Sequence, residues 1–272
     1  PKARCRSLRG CIFWSHLHGD LYGYRLDVSG ATVRDYTSVA DRVHAAGYGS
    51  NVVGQVDGMP LLAVRIGDGE PAGLLIAGTH GDEPATVEAA LQVLERREGA
   101  WLRGLSLDVL PCTNPTGYVR DSRETAHGVD INWSWRRQDV AEIEMLRRFL
   151  HGQRYRFVVD FHEDWETEGF YLYEHRLGVA AAGPRMIAAV DEVCAINRAL
   201  EIEGWPARDG VVSADSSRER ITRGDGLPLV LLRDHTPHKL TTETPTELSM
   251  ALRVQAHHAA FDALLAHYAE LM

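Results

Sequence analysis

Two histidines and a glutamate lie in short motifs whose spacing suits metal binding. His80 and Glu83 belong to the segment GTHGDEPAT, residues 78–86, and two residues separate them. This spacing lets an imidazole and a carboxylate bind one metal ion from a turn between a strand and a helix. A second histidine, His162, follows the apolar run FVVDF of residues 157–161. Two histidines and one glutamate form a three-ligand set that leaves one position of a zinc ion open for water.

Each of these motifs also has a purely structural interpretation. His80 and Glu83 taken alone fit a solvated loop histidine beside a helix-capping acid, and His162 taken alone fits a hydrogen-bonded loop histidine. Both motifs follow a predicted strand, and in open α/β sheets the carboxyl ends of the strands form the binding crevice. The two motifs together therefore favour a metal site. Asp160 is placed two residues before His162, where it could orient that ligand.

A third motif, LTTETPTE at residues 240–247, contains Glu243 in an extended, Thr-rich segment. A carboxylate at this strand end can point into the same crevice and act as a general base for a metal-bound water. A capping-box partner or a surface acid is the alternative interpretation of Glu243.

An acidic run follows His162 and consists of Glu163, Asp164, Glu166 and Glu168. A solvated loop explains such a run without any function. Alternatively, the run makes the crevice acidic and favours a cationic or amine-bearing substrate.

The elements that must hold these residues alternate between two patterns. Apolar runs typical of buried strands cover residues 61–66, 74–78, 105–111, 156–161 and 228–233. Helical patterns cover residues 84–97, 139–151, 180–200 and 245–271. This alternation predicts an α/β fold in which a mostly parallel or mixed central sheet lies between helices, in three layers α/β/α.

The length and composition fit one catalytic domain. The chain has 272 residues, of which 44% are hydrophobic and 25% are charged, and this is enough for one substantial core. We see no repeat or linker, so we expect a single domain over 1–272, with an irregular lead-in over residues 1–25.

The net charge and the short apolar runs argue against nucleic-acid and membrane partners. A formal charge of −9 argues against nucleic acid or anionic membrane as a partner, because both require clustered Lys and Arg. No apolar run approaches the roughly 20 residues of a membrane helix. The sequence shows no signal-peptide pattern, so we expect a cytoplasmic protein.

Several motifs together resemble, in order and context, the M14 family of zinc carboxypeptidases. They are HGDE at 80–83, NPTG at 114–117, SRETAHGVDIN at 122–132, DFH at 160–162 and TET at 242–244. The resemblance covers residues 45–271. Within the family, the chain is similar to the bacterial murein-peptide amidase branch. A more distant similarity links the chain to the succinylglutamate desuccinylase and aspartoacylase group. The resemblance implies the zinc carboxypeptidase fold.

The resemblance also implies roles for individual residues. One zinc ion per chain would be bound by His80, Glu83 and His162, and Glu243 would be the catalytic base and later proton shuttle. Arg123 would lie beside the scissile carbonyl, where its fixed charge could stabilise the developing oxyanion. A surface arginine paired with Asp121 or Glu124 is the alternative for Arg123.

Two positions of the substrate site bear on specificity. Asn132 matches the asparagine that helps to hold the substrate carboxylate in the family. Trp133 stands where the family usually has an arginine, and Trp cannot form a bidentate ion pair with a carboxylate. Trp133 is then either a rim aromatic or a stacking wall for the substrate. Basic residues that could replace the arginine are Arg136, Arg137, Arg208 and Lys239.

The phenol that many family members bring to the substrate has no clear counterpart. Residues 215–240 contain no tyrosine. Tyr173 is the candidate for this substrate contact, although it also fits a buried strand position.

The sequence therefore predicts a zinc metallohydrolase that acts on a peptide or amide bond of a small substrate. A deacylase of N-acyl amino acids is an alternative, as is a zinc-binding protein without turnover. The deacylases usually carry a β-rich domain after the catalytic glutamate, whereas 29 residues follow Glu243 here. This layout favours the peptidase.

Overall fold

The protein is described by a computed structural model that covers residues 24–26, 32–68, 72–96, 102–214 and 226–272. Within these ranges, a ten-stranded mixed sheet packs against helices on both faces. The predicted α/β class and the mixed central sheet are therefore confirmed.

The strands in chain order are β1 (Tyr24–Leu26), β2 (Thr32–Arg34), β3 (Ser50–Val56), β4 (Met59–Ile66), β5 (Gly73–Ile76), β6 (Leu107–Leu110), β7 (Phe157–Asp164), β8 (Tyr171–Arg176), β9 (Glu201–Ile202), β10 (Trp205–Arg208), β11 (Val211–Val212) and β12 (His238–Pro245). The helices are α1 (Tyr36–Ala45), α2 (Pro84–Leu94), α3 (Pro115–Arg120), α4 (Ala141–Leu150), α5 (Gly183–Val190), α6 (Leu227–Asp234) and α7 (Met250–Ala269).

The order of strands in the large sheet is β3, β4, β6, β5, β7, β12, β8, β11, β10, β9. Its centre is parallel, because β6, β5, β7 and β12 all run in the same direction. Strand β8 is antiparallel to β12, and β1 and β2 form a separate antiparallel pair. The carboxyl ends of the parallel strands therefore meet at one edge of the sheet, where an α/β protein places its binding crevice.

Helices on both faces explain the continuous apolar character of the central strands. Every residue of β5, β6 and β7 is buried, as expected for strands that are covered on both sides. Alternate side chains enter two separate cores. Leu75 and Val159 pack in the core that includes residues of α2 and α7, whereas Leu74 and Val158 pack in the core that includes residues of α4 and α6.

The predicted strand at 228–233 is wrong, because this segment forms helix α6. Gly226 has a φ of 82° immediately before the helix, and Pro228 lies in its first turn. Residues on all sides of this short helix are buried, so its sequence lacks the polar stripe that identifies a surface helix. A short apolar run of this kind has the same pattern in a buried strand and in a buried helix.

The predicted helix at 180–200 is much shorter in the structure, because α5 ends at Val190. The following segment forms a bridge between Ile196 and Phe170. The backbone N–H of Phe170 donates to Ala195 O at 2.8 Å, and that of Asn197 donates to Phe170 O at 2.9 Å. Long-range backbone pairing thus replaces the helical hydrogen bonds in the second half of the segment.

The other predicted elements differ from the structure mainly at their ends. Strand β7 continues to Asp164, and the terminal helix begins at Met250 because residues 238–245 form β12. Most of the predicted lead-in lies outside the described residues. Tyr24 and Arg25, its last two residues, belong to β1 and so are not irregular.

The loop that carries the first histidine motif packs closely against α3. A Cβ atom added at Gly81 would lie 1.9 Å from Gly117 C and 2.3 Å from Tyr118 N. These atoms belong to the backbone and cannot rotate away. Only glycine therefore fits between His80 and Asp82.

We expect Gly81→Ala to destabilise the protein by about 1–3 kcal/mol, because the extra methyl group overpacks a rigid contact. Chemical denaturation of the metal-free protein measures this change. Gly49→Ala is the matched control, since nothing lies within 4 Å of its added Cβ. Equal free energies of unfolding for the two variants would contradict the close-packing argument.

Candidate metal centre

Three side chains from two separate motifs converge at the edge of the sheet. His80 Nδ1 lies 2.5 Å from Glu83 Oε1, and His162 Nδ1 lies 3.0 Å from Glu83 Oε2. The two Nδ1 atoms are 3.1 Å apart. One ligand atom from each residue lies within 4.8 Å of the others, and all three residues are buried. The structure thus brings together the three residues that the sequence predicts as metal ligands.

Local structure accounts for the positions of the three side chains. His80 lies in the turn after β5, and Glu83 immediately precedes Pro84, the first residue of α2. His162 lies near the carboxyl end of β7, which pairs in parallel with β5. Because the two parallel strands end at the same edge, the turn after β5 and the end of β7 face each other.

An arginine from outside both motifs holds the first ligand loop in place. The buried guanidinium of Arg34 donates to Gly81 O, and it also donates to Tyr118 O at 3.2 Å. It forms an ion pair with Asp121 as well. Arg34 therefore connects the loop between His80 and Glu83 to helix α3. The sequence contains no signal for this role, because Arg34 lies far from every motif.

A carboxylate lies behind each histidine. His80 Nε2 is 3.5 Å from Asp130 Oδ1, and His162 Nε2 is 3.1 Å from Asp160 Oδ2. These are electrostatic contacts rather than aligned hydrogen bonds, since neither Nε2 atom has a partner with hydrogen-bond geometry. In each ring, Nε2 faces a carboxylate and Nδ1 faces the other ligands. This is the usual way in which a carboxylate fixes the orientation of a metal-binding histidine.

The charges of the cluster shift the pKa values of its members. Burial opposes ionisation of Glu83, yet attraction to His162 and His80 lowers its pKa below the usual range. Burial also opposes protonation of His162, but Asp160 and Glu83 raise its pKa well above 6.5. Asp130 is partly buried, and the interactions with His80 and Arg123 nevertheless lower its pKa to about 2. The site is therefore built to hold positive charge.

The donor set fits a divalent metal ion. Two imidazole nitrogens face the same carboxylate at close range, and a shared cation would satisfy all three groups at once. Glu83 Oε2 is a buried acceptor without a hydrogen-bond partner, which leaves it available as a ligand. Nitrogen and carboxylate donors in a three-residue set are typical of catalytic zinc.

The predicted base, Glu243, lies on the strand next to the second histidine. Its Cα pairs with that of His162 on β7 and with that of Tyr171 on β8, so the three side chains form one row across the sheet. Glu243 forms no ion pair with any described Arg or Lys residue. Burial raises its pKa well above 4.5 despite the opposing charge of His162. A partly buried carboxylate with a raised pKa is suited to accept and return a proton.

Successive side chains of β12 point to opposite faces of the sheet, so Glu243 and its two adjacent threonines lie on different faces. Thr241 and Glu243 face the ligand cluster and line the same cavity. Thr242 and Thr244 face helix α7, where their hydroxyl groups contact the two ring nitrogens of His257 at 3.0 and 3.3 Å. The Thr-rich segment thus anchors the strand on one face and presents the carboxylate on the other.

Arg123 also reaches the cluster. Its Nε donates to Asp130 Oδ2 at 3.0 Å, and its Nη1 lies 3.7 Å from Glu83 Oε1. Neither Asp121 nor Glu124 forms an ion pair with it in the described part of the chain, so the alternative pairing is wrong. The side chain is 46% exposed and lines the cavity. Its charge is therefore accessible to a substrate.

A cavity of about 430 Å³ opens above the cluster, and we call it the cleft. It is lined by the three candidate ligands and Glu243, and by a set of aromatic residues: Trp133, Trp165, Tyr171, Tyr173 and Trp205. Asn132 and Arg123 also line it. All of the substrate-site residues that the sequence predicts therefore line the same cavity.

The two predicted aromatic contacts differ in environment. Trp133 is 60% exposed at the rim of the cleft, which agrees with the rim interpretation and leaves a face free for stacking. Tyr173 is partly buried in β8, and its hydroxyl donates to Glu203. Asn132 is buried, and its Oδ1 has no hydrogen-bond partner. An amide oxygen of this kind is available to a donor on the substrate.

The predicted replacements for the missing arginine do not line the cleft. Lys239 is completely buried in β12, and Arg208 is 94% exposed. Arg137 forms an ion pair with Asp139 outside the cleft, and Arg136 also lies outside the set of cleft residues. Within the described residues, Arg123 is the only Arg or Lys that lines the cavity.

The acidic run behaves partly as structure and partly as cleft surface. Glu163 accepts from Ala85 N at 2.6 Å and pairs with Arg253, so it ties β7 to α2 and α7. Asp164 accepts from Tyr171 Oη at 2.9 Å. Glu166 is exposed and lines the cleft, whereas Glu168 does not. The sequence motifs single out neither Glu203 nor Trp205, which enter the cleft from the turn and strand after β9.

Comparisons with known proteins agree with this description of the fold. No protein-family model and no curated protein matches the sequence. A candidate metallopeptidase from Shewanella amazonensis has a TM-score of 0.73 at 23% identity, over 85% of this chain and 91% of that chain. A metallo-carboxypeptidase from Burkholderia cenocepacia has a TM-score of 0.66 at 15% identity, over 86% and 69%. Carboxypeptidase A from Helicoverpa armigera has a TM-score of 0.63 at 16% identity, over 87% and 73%.

At these identities the likeness shows the fold. The chain has the fold of the metallo-carboxypeptidases, as the motif resemblance implies. The described helices include none that is both long and apolar enough to cross a membrane.

We expect His80→Ala and His162→Ala to lose stoichiometric zinc, because each removes one of three ligands. Metal analysis after dialysis against a weak chelator measures the bound zinc. His127→Ala is the matched control, since this exposed histidine lies outside the cluster. Full zinc content in both ligand variants would refute the metal centre.

Proposed function

We propose that the protein is a zinc-dependent hydrolase that cleaves an amide or peptide bond of a small substrate. The main support for this proposal is the position of Glu243. Glu243 has no ion-pair partner among the described residues, and it opens onto the same cleft as His80, Glu83 and His162. A general base beside a three-ligand metal site is the arrangement that hydrolysis by an activated water requires.

The roles of the protein groups follow from their positions. Zinc bound by the three ligands would supply Lewis acidity and lower the pKa of a water in its open position. Glu243 accepts the proton of the attacking water and returns it to the leaving amine. Burial raises the pKa of Glu243 well above 4.5, and this favours the proton uptake on which the exchange depends.

Arg123 supplies the fixed positive charge for the oxyanion. It is held by Asp130 and lies at the cleft surface close to Glu83. A guanidinium retains its proton throughout the pH range of the reaction, so it can donate to the oxygen on which charge develops. Asp130 contacts both His80 and Arg123 and therefore sets the spacing between the metal site and the oxyanion donor.

The cleft favours a substrate without a free carboxylate next to the scissile bond. Trp133 stands where the related motif has an arginine, and Arg123 is the only described Arg or Lys that lines the cleft. Glu166 and Glu203 add negative charge to its walls. This combination disfavours N-acyl amino acids, whose carboxylate finds only Arg123 as an Arg or Lys partner among the described cleft residues, and favours peptides or amides that carry a positive group.

We expect Glu243→Gln to lower kcat by about 10²–10⁴-fold, because it removes the general base. Zinc content should remain stoichiometric, since Glu243 is not a ligand. Hydrolysis of a panel of free and amidated peptides and N-acyl amino acids gives the rates, and metal analysis gives the zinc. Glu247→Gln serves as control, because this acid is exposed and lies outside the cleft.

Two results would contradict the proposed reaction. Undiminished turnover in Glu243→Gln would exclude this residue as the base. A zinc-loaded protein that hydrolyses no member of the panel would indicate a zinc-binding protein without turnover.

The acidic walls predict a preference for cationic substrates that depends on Glu203. For matched peptides with lysine or norleucine beside the scissile bond, Glu203→Gln should reduce the ratio of kcat/KM values by about two- to fivefold, as expected for an exposed ion pair. Glu201→Gln is the control, because Glu201 is exposed on the same hairpin but does not line the cleft. An unchanged ratio in Glu203→Gln would refute this role.

A further inference from the structure

A lysine is completely buried beneath the cleft. Lys239 lies on β12, and its Nζ donates to Leu240 O and to Thr241 Oγ1, both at 2.8 Å. A buried ammonium loses its hydration and persists only where other groups compensate its charge. Burial lowers the pKa of Lys239 to about 8, although attraction to Asp160 opposes this change. The ammonium therefore keeps its proton at neutral pH.

The compensating charge is the carboxylate of Asp160 on the neighbouring strand β7. Lys239 Nζ lies 3.8 Å from Asp160 Oδ2, and both side chains are fully buried. None of the other described Arg and Lys residues pairs with Asp160. Lys239 does not line the cleft, so it does not contact a substrate there. Its charge instead acts on the layer directly beneath the metal site.

Asp160 connects this lysine to both ligand motifs. Its Oδ2 lies 3.1 Å from His162 Nε2. Its Oδ1 accepts from the hydroxyl group of Thr79 at 3.4 Å, and Thr79 directly precedes His80. The carboxylate is therefore positioned to affect the orientation of His162 and the course of the loop that carries His80. A group that holds the Asp160 carboxylate in place therefore also helps to hold His162 and His80 in place.

We propose that Lys239 is a positioning residue of the metal centre, which acts through Asp160 to hold His162 with its Nδ1 toward the other ligands. Without the ammonium, the buried carboxylate has no cationic partner except the histidines themselves. The Asp160 carboxylate would then change its own orientation, or it would draw the His162 imidazole away from the ligand position. The inference rests on the metal centre of the proposed function, but it does not require that the protein hydrolyse anything.

The test is zinc affinity in Lys239→Met, measured by competition with a chromophoric chelator. Methionine has a similar length and no charge. We expect zinc affinity to fall by about 10–100-fold, the usual effect of removing a group that supports a metal ligand. The visible spectrum of the cobalt-substituted protein should change as well, because it reports on ligand geometry. Thermal unfolding in the presence of excess chelator measures the stability of the metal-free fold separately.

A double variant tests whether the effect passes through Asp160. Asp160→Asn is isosteric and should lower zinc affinity by a similar factor. If Lys239 acts through Asp160, then the double variant Lys239→Met/Asp160→Asn should bind zinc no more weakly than Asp160→Asn alone. Multiplied losses in the double variant would overturn the proposed route. If Lys239→Met fails to fold, Lys239→Gln replaces it, since the amide still donates a hydrogen bond.

His238→Gln is the matched control. His238 is the preceding residue on β12 and is also fully buried, but it contacts Tyr268 and Glu174 rather than the metal site. It should lose stability without losing zinc affinity. If Lys239→Met behaves in the same way, its role is structural only and the inference is wrong.

The experiment separates this inference from the proposed function. A wild-type protein without stoichiometric zinc refutes the metal centre and the inference together. Normal hydrolysis with equal zinc affinity in wild type and Lys239→Met refutes the inference alone. Weaker zinc binding in Lys239→Met supports the inference even if the zinc-loaded protein hydrolyses no substrate.

Discussion

The structure depends on the burial of two imidazoles against one carboxylate. His80, Glu83 and His162 lie so close that their charges determine one another, and an uncompensated charge at this depth would be costly. A second layer of charged groups meets this requirement: Asp130 and Asp160 lie behind the histidines. The polar centre is thus stable only as a network, in which each member supports the position of the next.

Parallel strand pairing supplies the geometry of this network. Strands β5, β7 and β12 run in the same direction, and their carboxyl ends bring residues from three distant parts of the sequence to one edge. The register places Glu243 beside His162, and a shift of β12 by one residue would turn Glu243 to the opposite face, away from His162. The same alternation sends Thr242 and Thr244 to His257 on α7. One register therefore positions the candidate base, Glu243, and anchors its strand.

Part of the charge of the cleft comes from outside the parallel centre of the sheet. The fold is that of the metallo-carboxypeptidases, and Trp133 lies exposed at the rim of the cleft. Glu203 enters the cleft from the turn between β9 and β10, where its own φ of 50° is uncommon for a residue other than glycine. A hairpin at the edge of the large sheet thus contributes to the charge of the cleft, while the ends of the parallel strands carry the candidate ligands and Glu243.

The sequence by itself determined the α/β class and singled out the candidate ligand set and the candidate base, because these depend on local apolar patterns and on spacing within short motifs. Only the tertiary structure decided that residues 227–234 form a helix, since a short buried run has no periodicity of its own. It also decided that Lys239 lies beneath the metal site instead of in the cleft, and that Glu203 faces the cavity. These positions follow from strand register and loop packing between distant residues, which no local pattern encodes.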